Sequence, residues 1–162
     1  DYIVDGVEEY WSGEVDGYTI TTTMIKDDPI HKSVKLFLEP KKGQSYNDSF
    51  THFSKREIHM KFGTKNTLQR AIGIKRVGAH EFGHAAFQFN DNVYDERHTY
   101  VSKPIGNINS IMYIPDYYDP ADKSLDLAML LEKCKVGFSD RTYYADYPEI
   151  LDEYASGWKK KY

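Results

Sequence analysis

Two histidines four residues apart, His80 and His84, bracket Glu81 in the run Gly78-Ala79-His80-Glu81-Phe82-Gly83-His84. A His-Glu-x-x-His spacing carries chemistry when it lies on a helix. There, positions i and i+4 share a face, so the two imidazoles stand side by side and offer two corners of a tetrahedral Zn²⁺ site. Glu81 falls about 100° further round, beside such a metal and not on it. From that place its carboxylate takes a proton from a zinc-bound water. A fold built on this helix must bury one of its faces and supply a third ligand and a substrate cleft to the other.

The flanking residues predict that helix. Asn66-Thr67-Leu68-Gln69 reads as a capping box. From it Leu68, Ala71, Ile72, Ala79, Phe82, Ala85, Ala86 and Phe89 recur at three- and four-residue steps, an apolar stripe running to Phe89. His80 and His84 fall nearly opposite Phe82, so the stripe packs on a core while the histidines look into a cleft. Gly73 and Gly78 each cost about 1 kcal/mol in a helix interior, which implies a shorter helix or a close backbone contact. Paired histidines on a helix are otherwise ordinary surface residues, so the zinc reading depends on the residues downstream of His84.

At 162 residues the chain forms one domain with a sizeable core, spanning 1–162. A sheet-containing upper part is expected over about 1–89 and a lower part over about 90–162. A net charge of −4 gives no reason to expect nucleic acid or anionic membranes as partners. The 14 tyrosines combine flat apolar faces with hydroxyls and suit a peptide-binding surface. Cys134 is the only cysteine, so no internal disulfide forms and the compartment stays open. No apolar run among these residues is long enough to insert in a bilayer, and none reads as a signal peptide. The start at Asp1, without Met, reads as a mature or excised domain of a longer precursor, expected to be monomeric.

In chain order, Ile3, Val4, Val7, Tyr10 and Trp11 recur at helical spacing, and Ser12-Gly13 closes that helix. Tyr18–Ile25 and Ser33–Leu38 read as strands, the second ended by Glu39-Pro40. Glu57–Phe62 alternates Ile58, Met60 and Phe62 with polar residues, a half-buried strand expected at a sheet edge. Asn107–Pro115 reads as a turn with buried aliphatics, and Ser124–Lys135 as a helix with a broad apolar face. A last helix, begun by Pro148, is expected in the tyrosine-rich stretch from Tyr143 to Tyr154.

Two stretches together resemble the metzincins, a superfamily of zinc endopeptidases. The first is His80-Glu81-Phe82-Gly83-His84-Ala85. The second is Ser110-Ile111-Met112-Tyr113, which looks like that family's Met-turn. The resemblance implies an α+β fold, zincin/metzincin-like, with a small mixed sheet, an active-site helix, a Met-turn and a C-terminal helix. It also implies Zn²⁺ as cofactor, Glu81 as catalytic base, His80 and His84 as ligands, and a protein or peptide substrate.

The match departs from the family after His84. The family's glycine, where the chain turns off the helix, falls at Phe87, and its third ligand falls at Asn90, a neutral side chain. One inserted residue, with the helix leaving at Gln88 or Phe89, brings Asp91 to the third place, and a carboxylate is a common zinc ligand. Asp91 is therefore preferred, with His98, Asp95 and Glu96 as competitors. Equally, Asn90-Asp91-Asn92 reads as a plain loop. Met112 is evidence for the fold, as packing beneath the metal, and has no chemistry of its own. Tyr113, Tyr117 or Tyr118 could donate to an oxyanion, and the spacing does not choose among them. His31, His52 and His59 have no partner at ligand spacing and are read as structural or exposed. An extended substrate is expected to pair with the Glu57–Phe62 strand.

Short metzincin-like domains that begin abruptly resemble the toxin modules of bacterial secreted effectors, which implies a secreted protein or one delivered to a target cell. The alternative is a zinc-binding interaction module in which the irregular Phe87–Asn90 segment marks lost catalysis.

Overall fold

A computed structural model describes residues 2–26, 33–42, 49–63, 68–90, 110–112 and 123–138. The fold is a small α+β arrangement. Helix α1 (Tyr2–Tyr10) leads into an antiparallel hairpin of β1 (Gly13–Val15) and β2 (Tyr18–Ile20). A mixed sheet follows, built from β3 (Lys35–Pro40), β4 (Phe50–His52) and β5 (Glu57–Phe62), and then come α2 (Leu68–Phe87) and α3 (Ser124–Val136). No helix among the described residues is long and apolar enough to cross a membrane.

The expected α1, α2, α3 and β5 are present within a residue or two of their sequence bounds. Strand β2 stops at Ile20, five residues short of the expected end at Ile25. Strand β3 begins two residues late and runs through Pro40, the tertiary amide being tolerated on an outer strand. β1 and β4, of three residues each, have no sequence signal of their own. The expected helix at Tyr143–Tyr154 lies outside the described residues, as does Asn107–Pro115 apart from Ser110–Met112.

One expectation is corrected. β5 is the middle strand of the order β3-β5-β4, parallel to β3 and antiparallel to β4, with Phe37 and Phe50 both opposite His59. Its backbone is hydrogen-bonded on both sides, so it cannot receive a substrate strand. Its alternation is real: Ile58 and Met60 point into the core and are 2% and 0% exposed. Alternation reports one buried face and is silent on strand order. On the other face His59 is stacked between the Phe37 and Phe50 rings, with centroids 4.7 and 4.6 Å away.

The core gathers around α2. Helix α1 crosses it closely because Gly6 and Gly78 leave out side chains. A Cβ on Gly6 would lie 2.4 Å from the Lys75 carbonyl oxygen, and one on Gly78 would lie 3.1 Å from Ile3. Gly78 therefore serves a close contact and does not shorten the helix. Trp11, fully buried, donates its indole N–H to the Ala79 carbonyl at 2.8 Å and packs on the rings of Phe87 and Phe89. At the far end of α2 the Arg56 guanidinium donates to the carbonyls of Ala85 and Ala86, placing a cation on the helix C-terminus.

Candidate metal centre

His80, Glu81 and His84 sit on the fourth and fifth turns of α2. They are buried, at 8%, 6% and 5% exposure. All three side chains are therefore largely withdrawn from solvent. The ring of Phe53, on the turn between β4 and β5, lies 5.1 Å from His84, and the chain beyond α2 folds back over the same face.

The two imidazoles are oriented by backbone carbonyls. His80 Nδ1 lies 2.7 Å from the Ile111 carbonyl oxygen, and His84 Nδ1 lies 2.7 Å from that of Phe89. A carbonyl only accepts, so both Nδ1 atoms carry their protons and donate. In the neutral rings each Nε2 then presents a lone pair, and the two Nε2 atoms are 3.0 Å apart. Two lone pairs at that distance repel unless a cation joins them, either a proton that turns one ring into imidazolium or a metal. Nitrogens on a tetrahedral zinc at about 2.05 Å are roughly 3.3 Å apart. The pair therefore fits a zinc, and carbonyl-bound Nδ1 atoms are the usual support for histidine ligands.

Glu81 is held from outside its own helix. The Thr51 hydroxyl on β4 donates to Glu81 Oε2 at 2.6 Å and lies 3.1 Å from the Glu81 carbonyl oxygen. Thr51 has no signal in the sequence; it stands 30 positions away and meets Glu81 only because β4 closes the sheet beside α2.

Beneath the helix lies the turn Ser110–Ile111–Met112, fully buried. Its Met112 sulfur occupies the space where a Cβ on Gly83 would sit, 2.5 Å from that position, with Trp11 2.8 Å away on the same spot. Only glycine lets the helix rest this low on the methionine. The turn is tied to α3 by Asp126, whose carboxylate accepts from the Ser110 hydroxyl at 2.6 Å and the Ile111 N–H at 2.8 Å. Asp126, a second residue the sequence did not point to, is fully buried.

The helix ends at Phe87. Gln88 adopts the left-handed conformation with φ +60°, and the Phe89 N–H turns back to the Gly83 carbonyl at 3.2 Å. Asn90 is buried. Asp91, Asp95, Glu96 and His98 lie outside the described residues, as do His31, Tyr113, Tyr117 and Tyr118. Among the described residues no group of three or more His, Cys, Asp or Glu side chains is gathered at metal-holding distance. His52 and His59 belong to the aromatic row on the sheet, away from the pair, with His59 Nδ1 2.7 Å from Glu39. Comparison with family models, with curated proteins and with solved structures finds no match to this chain.

Proposed function

We propose that this chain is a zinc-dependent endopeptidase of metzincin-like build. The observation that carries the reading is the convergence of His80 Nε2 and His84 Nε2 at 3.0 Å, with each Nδ1 committed to a carbonyl. His80, His84 and a third ligand, for which Asp91 is preferred, would hold the metal. The positive φ at Gln88 supports that choice: it falls one residue after the place of the family's glycine. The family's third ligand stands three residues beyond its glycine, and the same count from Gln88 reaches Asp91.

When bound, zinc supplies a Lewis acid that acidifies a water and polarises the scissile carbonyl. Glu81 accepts the proton that water loses as its oxygen adds to the carbonyl carbon, and returns it to the leaving nitrogen as the C–N bond breaks. Thr51 holds the carboxylate in place for both transfers. β4, and not β5, is the strand that suits an extended substrate. It is an outer strand of the sheet, and Thr51 puts its backbone beside Glu81. Secretion, or delivery as a toxin module, belongs to the same proposal.

Glu81→Gln tests the reading. It keeps the shape and both histidines, so zinc should stay, while hydrolysis of an unfolded protein substrate falls about 100- to 10,000-fold. Wild-type cleavage by that variant would remove Glu81 from the chemistry. The burial of His80, Glu81 and His84 favours a second reading, a closed zinc site in an interaction module. In that case zinc is bound, no substrate is cleaved, and Glu81→Gln has the same biological effect as wild type.

A further inference from the structure

The hydrogen bonds beneath His80 form one continuous chain that ends on a carboxylate. His80 Nδ1–H donates to the Ile111 carbonyl at 2.7 Å. The N–H of the same peptide group, that of Met112, donates to Ser110 Oγ at 3.1 Å. The Ser110 hydroxyl in turn donates to Asp126 Oδ1 at 2.6 Å. Asp126 Oδ2 steadies the assembly by accepting the Ile111 N–H at 2.8 Å. All five residues are buried, Ser110 at 1% and Asp126 at 0% exposure.

We propose that Asp126 and Ser110 are positioning residues for the metal ligand His80, acting through the peptide group between Ile111 and Met112. The inference rests on the metal reading of His80 and His84. A carboxylate that draws on the serine proton leaves Oγ more negative and a better acceptor for the Met112 N–H. The peptide is polarised by that bond, so its carbonyl pulls harder on the imidazole proton. The Nε2 lone pair gains electron density and binds a cation more firmly. Chains of this kind strengthen by roughly 10–30% per bond in a low-dielectric interior. The result is a carboxylate–histidine pairing of the sort that supports metal ligands, delivered through a serine and a peptide in place of direct contact.

The test is zinc affinity, by competition with a chromophoric chelator, for wild type, Ser110→Ala, Ser110→Thr and the isosteric Asp126→Asn. It is paired with NMR of the imidazole protons in the zinc-free proteins. Ser110→Ala and Asp126→Asn should each weaken zinc binding about 10-fold, and Ser110→Thr should stay within about two-fold of wild type. The His80 Nδ1–H resonance should move upfield in Asp126→Asn. Asp126→Asn with wild-type affinity and an unmoved resonance would reduce Asp126 to a turn anchor and overturn the relay. If that variant does not fold, Ser110→Ala decides alone: unchanged affinity overturns the relay and weakened affinity supports it. A wild-type protein that takes up no zinc sinks the metal reading itself. That result is told apart from failure of the relay because it is seen before any substitution is made.

Discussion

Thr51 and Glu81 illustrate how a single contact made by a distant segment can hold a carboxylate that is proposed as a base. Removing the Thr51 hydroxyl leaves Glu81 Oε2 without the donor that stands at 2.6 Å and lets the carboxylate turn. A hydrogen bond to a charged group contributes about 1.5–3 kcal/mol, so Thr51→Val should lower kcat about 10- to 100-fold. KM should hardly move, and Thr51→Ser should restore kcat. A loss confined to KM would place Thr51 in substrate binding and not in holding the base. The two histidines and the glutamate were legible in the sequence because their geometry is local to one helical turn. Thr51 and Asp126 were not, since they lie 30 and 16 positions from the groups they bond. Neither residue type is unusual where it stands, and only the tertiary fold gives either a partner.

Among the elements, α2 is placed by what its glycines omit. Gly6→Ala would drive a methyl to within 2.4 Å of the Lys75 carbonyl oxygen, which belongs to helix backbone and cannot move aside. The gain of at most about 1 kcal/mol in helix propensity is outweighed, and a net loss of about 2–3 kcal/mol is expected from urea denaturation. Gly83→Ala should cost less, about 1–2 kcal/mol, because the Met112 side chain can partly yield. Equal stability of Gly6→Ala and wild type would mean that α1 does not cross there. Glycines inside a helix were visible in the sequence as anomalies, but whether they shorten the helix or admit a neighbour is settled by the partner. The exit from α2 was expected at Gln88 or Phe89 from the ligand count alone, and not from any turn residue. Gln88 carries the left-handed conformation that glycine normally takes, so no glycine marked the turn. If that turn sets the ligand count, Asp91→Ala should lose zinc and activity while His98→Ala keeps both. The reverse result would mean a site of three histidines and a chain that loops back later.

At the scale of the whole molecule, the site exists only when four separate pieces meet: α2, β4, the turn at Ser110–Met112 and α3. The sequence announced the three helices and β5 through periodicity, and the α+β class through the family resemblance. It misplaced β5 in the sheet and left β4 unseen, because strand order depends on pairing between segments and three residues carry no pattern. A cation held between His80 and His84 would tie this assembly together, so zinc should raise the melting temperature and a chelator should lower it. The most direct measurement is metal content after zinc loading and gel filtration, for wild type alongside His80→Ala and His84→Ala. About one zinc per chain is expected in wild type and none in either variant. Wild type that holds no zinc, or no more than the two variants hold, would contradict the metal centre and the peptidase built on it.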